Sequence, residues 1–284
     1  MIKFLGSADD VRRYDNAVAR DPQTGIITGA EPRELGTPLS PKAMLFVHGF
    51  SGTGNNFHEL PDRVAAQGWH VRVMLLPGHG RSPFLFEETS AEELLGAVLE
   101  ELRALRARHE TVVLCGHSMG GALATLAAAQ VPLDGLVLAA PYYAVTFKWF
   151  YLLTAERWAT LLSPIIRWIH NPPDRQPVKR REVSREILCY PWIPTRAFRT
   201  AMALAERARN PEVLRRVQCP TLLLHSTQDN VTDPGTAARA FAHVGSAEKT
   251  AVWLDNSDHI IFWDYDREQV ARETTEFLKS LPLH

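Results

Sequence analysis

Short, mostly apolar runs recur along the chain at 43–47, 71–76, 111–115, 135–139, 221–225 and 250–254, and most are followed by stretches with apolar residues at helical spacing. Runs of that length read as strands, and their alternation with helices predicts a mostly parallel sheet covered by helices, an α/β architecture. The segment 90–109 shows the helical period clearly: Ser90 and Glu93 form a capping-box pattern, and Leu94, Leu95, Val98, Leu102 and Leu105 recur on one face. The rhythm breaks between 141 and 218, where the gap between strands far exceeds an ordinary crossover connection. We therefore expect a core domain formed by 1–140 and 219–284, interrupted by a helical cap at 141–218. Within the cap, Tyr143, Phe147, Phe150, Trp158, Leu161, Leu162, Ile165 and Ile169 fall near one helical stripe, and Pro164 marks a break. Four of the chain's seven tryptophans, Trp149, Trp158, Trp168 and Trp192, lie in this insertion. Residues 171–186, rich in proline and charge, read as an exposed loop running into a helix, and 195–209 as a further amphipathic helix.

Composition narrows the function classes. A net charge of -1 over 284 residues offers no electrostatic footprint for nucleic acid. The N-terminal residues lack the apolar stretch of a secretory signal and no later run is long enough to span a bilayer, so the expected location is the cytoplasm. Cys115, Cys189 and Cys219 are widely spaced and odd in number, which points to reduced thiols rather than a disulfide framework or a zinc site. Neither a His-Glu-x-x-His pattern nor a P-loop lysine occurs, and no cofactor or metal is expected.

The chemistry concentrates at "CGHSMGG", residues 115–121, which follow one predicted strand and precede an Ala- and Leu-rich helix. A serine between glycines in a strand-to-helix turn is the context of a nucleophile elbow, where side chains at the glycine positions would collide with neighbouring backbone. Acyl transfer also needs donors for an oxyanion. The amide of Met119, at the helix start, is one candidate. The amide of Phe50, in "FVHGFSGTGNNF" after the strand at 43–47, is the other. The same glycines could instead form a phosphate-binding loop, but no lysine follows them. A base belongs late in the chain, where "NSDHIIFWDYDRE" supplies His259, and an acid after the preceding strand, where "HSTQDNVTDP" supplies Asp229. The order Ser118, Asp229, His259 suits this chemistry. Asp233, Asp255 and Asp258 remain rival carboxylates. His48 and His117 are expected to shape loops by hydrogen bonding, and His225 to be a buried strand-end histidine.

With those motifs, together with "LLPGHGRS" at 75–82, the chain resembles the α/β-hydrolase superfamily, and within it bacterial carboxylesterases and monoacylglycerol lipases. The resemblance runs from about residue 26 to the C-terminal region and is weakest in the cap. It implies Ser118 as nucleophile, His259 as general base and then acid, Asp229 as the carboxylate orienting it, and Phe50 with Met119 as oxyanion donors. It implies a small ester as substrate, short- to medium-chain acyl esters and monoacylglycerols among them, no cofactor, and at most transient lipid contact through the cap. Carbon–carbon bond hydrolysis or acyl transfer on the same three residues is the alternative. Phe147, Phe150 and Trp158 have two readings, as packing of the cap onto the core or as the wall of an acyl site.

Overall fold

The computed structural model describes residues 5–146, 153, 158, 161 and 165–282. Among the described residues, ten strands fall into two sheets. The larger contains β2 (Arg33–Leu35), β3 (Lys42–Val47), β4 (His70–Val73), β5 (Thr111–His117), β6 (Gly135–Ala139), β9 (Thr221–Ser226) and β10 (Lys249–Leu254), in the order β10-β9-β6-β5-β3-β4-β2. Every neighbouring pair is parallel except β2 with β4. The smaller sheet is antiparallel and joins β1 (Leu5–Gly6), β7 (Trp168–His170) and β8 (Trp192–Pro194) in the order β1-β7-β8.

The described helices are α1 (Ala8–Ala17), α2 (Leu60–Ala65), α3 (Pro83–Glu88), α4 (Ala91–Arg106), α5 (Met119–Ala128), α6 (Thr195–Ala208), α7 (Pro211–Arg215), α8 (Pro234–Ala242) and α9 (Arg267–Ser280). Helix α4 starts where the capping pattern placed it. The Ser90 hydroxyl accepts the Glu93 amide and the Glu93 carboxylate accepts the Ser90 amide, satisfying two N-terminal donors at once.

Both faces of the large sheet are covered, and the two-residue period of the strands divides their side chains between two cores. On one side Ala43, Leu45 and Val47 of β3 and Val112 and Leu114 of β5 pack with α4, α5 and α6. On the other, Met44 and Phe46, with Val113 and Cys115, pack with α2 and α9. Removing one of these fully buried side chains, as in Leu114→Ala, costs about 2–5 kcal/mol.

The structure departs from the sequence pattern in instructive places. Strand β4 ends at Val73 although the apolar run continues to Leu76, because the Leu76 amide donates to the imidazole Nε2 of His48 rather than to a strand carbonyl. Strand β2, Arg-Glu-Leu, has too little apolar alternation to be seen in advance; it exists because β4 offers it an edge. The N-terminal strand pairs with β7, so residues at the start of the chain share a sheet with the segment between β6 and β9. Residues 171–186 are less exposed than their composition suggests: they form two 3-10 turns, and Val178 and Ser184 are buried.

Candidate active site

Strand β5 runs buried between β3 and β6 and delivers Ser118 to the C-terminal edge of the sheet. Ser118 adopts φ 55° and ψ -119°, a conformation disfavoured for any residue with a side chain. The fold holds it there with four backbone bonds. Its amide donates to Ala139 O at 3.0 Å, and its carbonyl accepts the amides of Gly121, Ala122 and Tyr142. The flanking glycines are required by space: a Cβ at Gly116 would stand 2.2 Å from Gly120 O, and one at Gly120 would stand 2.0 Å from Val47 O.

The loop after β10 brings His259 to this serine, its Nε2 lying 2.9 Å from Ser118 Oγ. The turn after β9 brings Asp229 to the far side of the ring, with Oδ2 2.8 Å from His259 Nδ1. A carboxylate there makes Nδ1 the protonated nitrogen and leaves Nε2 free to accept from the serine hydroxyl. All three residues are buried. Asp229 also accepts the amides of Val231 and Thr232 on Oδ1 and the Thr232 hydroxyl on Oδ2. Burial pushes its pKa up, but the charge of His259 and these hydrogen bonds outweigh burial and bring it down to about 2.

The rival carboxylates are engaged elsewhere. Asp233 caps α8 through the Thr236 amide, Asp255 accepts the Thr227 hydroxyl, and Asp258 accepts the Asn230 amide.

Met119 opens α5, where a first-turn amide has no intrahelical acceptor. Phe50 lies on the loop after β3, which passes directly against the serine: a Cβ on Gly49 would stand 2.9 Å from Ser118 Cβ. The orientation of the Gly49–Phe50 peptide is set by His48. Its Nδ1–H donates to Gly49 O at 3.0 Å while its Nε2 accepts the Leu76 amide at 3.0 Å, so the ring must be neutral. Burial, reinforced by neighbouring His79, holds its pKa well below the usual histidine range. Because C=O and N–H of a trans peptide point in opposite directions, pinning Gly49 O aims the Phe50 N–H away from His48. The Phe50 ring packs on Phe86 and Phe198, with centroids 5.1 and 4.9 Å away.

His117 is buried beside the serine and its Nε2–H donates to His259 O at 3.2 Å; burial and the nearby His259 lower its pKa to about 3. His225 is buried at the end of β9. Trp158 is helical and 38% exposed, whereas Phe147 and Phe150 lie outside the described residues. Sequence reasoning missed Asp264 and Asp266, two buried carboxylates in the loop after His259. Asp266 accepts the Asn256 amide and the Ser257 hydroxyl. Only the spacing behind His259 could have hinted at them.

The model of a hydrolase family described as serine aminopeptidase, S33, matches residues 40–266. The chain belongs to that family. It is similar to a thermostable monoacylglycerol lipase of Bacillus sp. (strain H-257), 28% identical over 256 residues that cover 90% of this chain and 96% of the relative. It is also similar to a carboxylesterase of Bacillus subtilis (strain 168), 22% identical over 84% of this chain and 93% of the relative. Among solved structures, one from a study of two metagenome-derived lipolytic enzymes superposes with a TM-score of 0.80 at 26% identity, covering 89% of this chain and 99% of the other. The fold is that of the α/β-hydrolases, and the protein is an enzyme, a hydrolase similar to esterases and lipases. Among the described residues no helix is long and apolar enough to cross a membrane.

Proposed function

We propose that the protein hydrolyses carboxylic esters through an acyl-enzyme on Ser118. The observation that carries this is the unbroken hydrogen-bonded line from Ser118 Oγ through His259 to Asp229 at the strained turn. His259 Nε2 takes the serine proton as the hydroxyl attacks the ester carbonyl, and Asp229 stabilises the imidazolium that forms. The amides of Phe50 and Met119 receive the developing oxyanion. His259 then returns the proton to the departing alcohol, and water repeats the sequence on the acyl-enzyme.

The favoured substrates are short- to medium-chain acyl esters, monoacylglycerols among them. Likeness to a monoacylglycerol lipase over nine-tenths of the chain supports this class. Residues 141–218 act as a cap over the site, with Trp158, Phe147 and Phe150 offered to the acyl chain. Trp158 and Leu161 are helical, three residues apart and exposed, with Ile165 exposed beyond them. Each methylene buried in an apolar site contributes about 0.8 kcal/mol, up to roughly a fourfold gain in kcat/KM.

A panel of p-nitrophenyl esters of graded acyl length, with monoacylglycerols and an aminoacyl p-nitroanilide, tests the proposal. Ester turnover that rises from acetate through medium chains is expected. Turnover of the anilide alone would make the protein a peptidase, and a steady decline from acetate would remove the acyl wall.

A further inference from the structure

The buried Asp264 carboxylate takes no part in the proton transfers, yet it accepts four backbone amides from two parts of the chain. Its Oδ2 accepts the amide of Asp258, the residue before His259, at 2.8 Å and that of Lys179 at 2.7 Å. Its Oδ1 accepts the amides of Arg180 at 3.1 Å and Tyr265 at 3.0 Å. On the other side of His259, the amide of Ile260 donates to Pro177 O at 3.1 Å. The guanidinium of Arg180 donates to Trp263 O at 3.0 Å. Val178, Val183 and Ile187 close an apolar cluster with Ile260 and Trp263 behind this seam.

We infer that residues 177–180 of the insertion, acting through Asp264, position His259 for its reaction with Ser118. The residues on both sides of the histidine have their amides fixed by this segment, one directly by a carbonyl and one through the shared carboxylate. The histidine's own carbonyl is held from a third direction by His117. A loop after a strand end, with few regular hydrogen bonds of its own, would otherwise sample many ring positions, and a displacement of about 1 Å at a catalytic group can cost roughly 100-fold in rate. The insertion therefore does more than cover the site: it completes the alignment of the base. Asp264 is a positioning residue, since it reaches the reaction only through the backbone of His259. This inference rests on the reading of His259 as the base.

Two substitutions separate positioning from general packing. Asp264→Asn keeps the side-chain shape but turns one acceptor into a donor facing amides. Arg180→Pro deletes the Arg180 amide donor together with its side chain, at a φ of -72° that proline adopts without strain; Arg180→Ala, which loses the side chain but keeps that amide, supplies the baseline. The measurements are kcat and KM on the best ester, the rate of Ser118 labelling by a fluorophosphonate, and the low-field proton resonance of the His259–Asp229 hydrogen bond. For Asp264→Asn we expect kcat and labelling rate to fall about 10- to 100-fold with KM within about threefold of the parent, and the resonance to move or broaden. Arg180→Pro should fall about tenfold below Arg180→Ala in kcat with a similar KM. A folded Asp264→Asn with parental kcat and labelling rate, or an Arg180→Pro indistinguishable from Arg180→Ala, overturns the inference; if Asp264→Asn does not fold, the Arg180 pair decides alone. A parent protein that the fluorophosphonate fails to label would instead refute the serine-hydrolase reading and take this inference with it.

Discussion

The turn at Ser118 and the segment 165–194 of the insertion both border the site, but they are held by opposite means. The turn is held by backbone sterics: a strand, a residue forced to positive φ and two glycines, one whose replacement would meet Gly120 O at 2.2 Å and one whose replacement would meet Val47 O of β3 at 2.0 Å. The insertion segment has little regular structure of its own. It is held at a distance in sequence, through β1 in a three-stranded sheet, through Tyr190 and Leu188 to the loop after β3, and through Asp264 to the loop carrying His259. Close backbone sterics allow only one answer, whereas long-range hydrogen bonds can be exchanged for others. Changes at the turn should therefore be absolute, and changes in the insertion graded.

The largest expected effect lies in the turn. Ser118→Ala should lower kcat/KM for esters by about five to six orders of magnitude while leaving the melting temperature near that of the parent. Residual turnover within tenfold of the parent, in material free of contaminating esterase, would remove the serine from the mechanism.

Next in size is a contrast between two glycines. Gly120→Ala should destabilise by about 3 kcal/mol or more, because the carbonyls of Val47 and His48 at 2.0 and 2.5 Å belong to backbone in and beside the sheet. Gly96→Ala, in the exposed interior of α4 with nothing within 4 Å, should stabilise by up to about 1 kcal/mol. Urea unfolding of both variants measures the difference, and equal shifts would refute the steric account.

Acidification should separate the site's buried histidines from its carboxylate. Burial lowers the pKa of His79 from 6.5 to about 4, and burial with His259 lowers that of His117 from 6.5 to about 3. The unfolded chain then binds protons that the folded one refuses, so stability falls as pH drops from 6.5 towards 3. The Asp229 pKa moves from 3.8 to about 2, so its contribution is present above 3.8 and is lost only as pH falls through 2. Melting temperatures should decline first over the histidine range, and His79→Gln should reduce that slope. A flat profile between pH 6.5 and 4 would contradict it.

The smallest effect belongs to the insertion. Trp158→Ala should lower kcat/KM for medium-chain esters several-fold more than for acetate. A uniform change across chain lengths would place Trp158 outside the acyl site.

Much of this was legible in one dimension. The runs at 43–47, 111–115, 135–139 and 221–225 became strands nearly residue for residue, because a strand buried on both faces must be apolar along its length, and 250–254 became the edge strand β10 although only Leu254 of it is buried. The turn at Ser118 and the start of α4 at Ser90 were equally readable, since the Gly-x-Ser-x-Gly pattern between strand and helix and the Ser90–Glu93 capping pair each lie within a few residues of sequence. What the chain alone left open was which carboxylate faces His259. Asp229, Asp233, Asp255 and Asp258 are alike in sequence, and only the meeting of the loops after β9 and β10 brings Asp229 to the ring. The pairing of β1 with β7, the short β2, the clamp of His48 on the Gly49 carbonyl and the four amides on Asp264 likewise join segments far apart in the chain. Such contacts have no local period or spacing: a buried carboxylate or imidazole takes whichever donors the completed fold leaves around it, and those are fixed only once the sheet, its helices and the insertion have packed together.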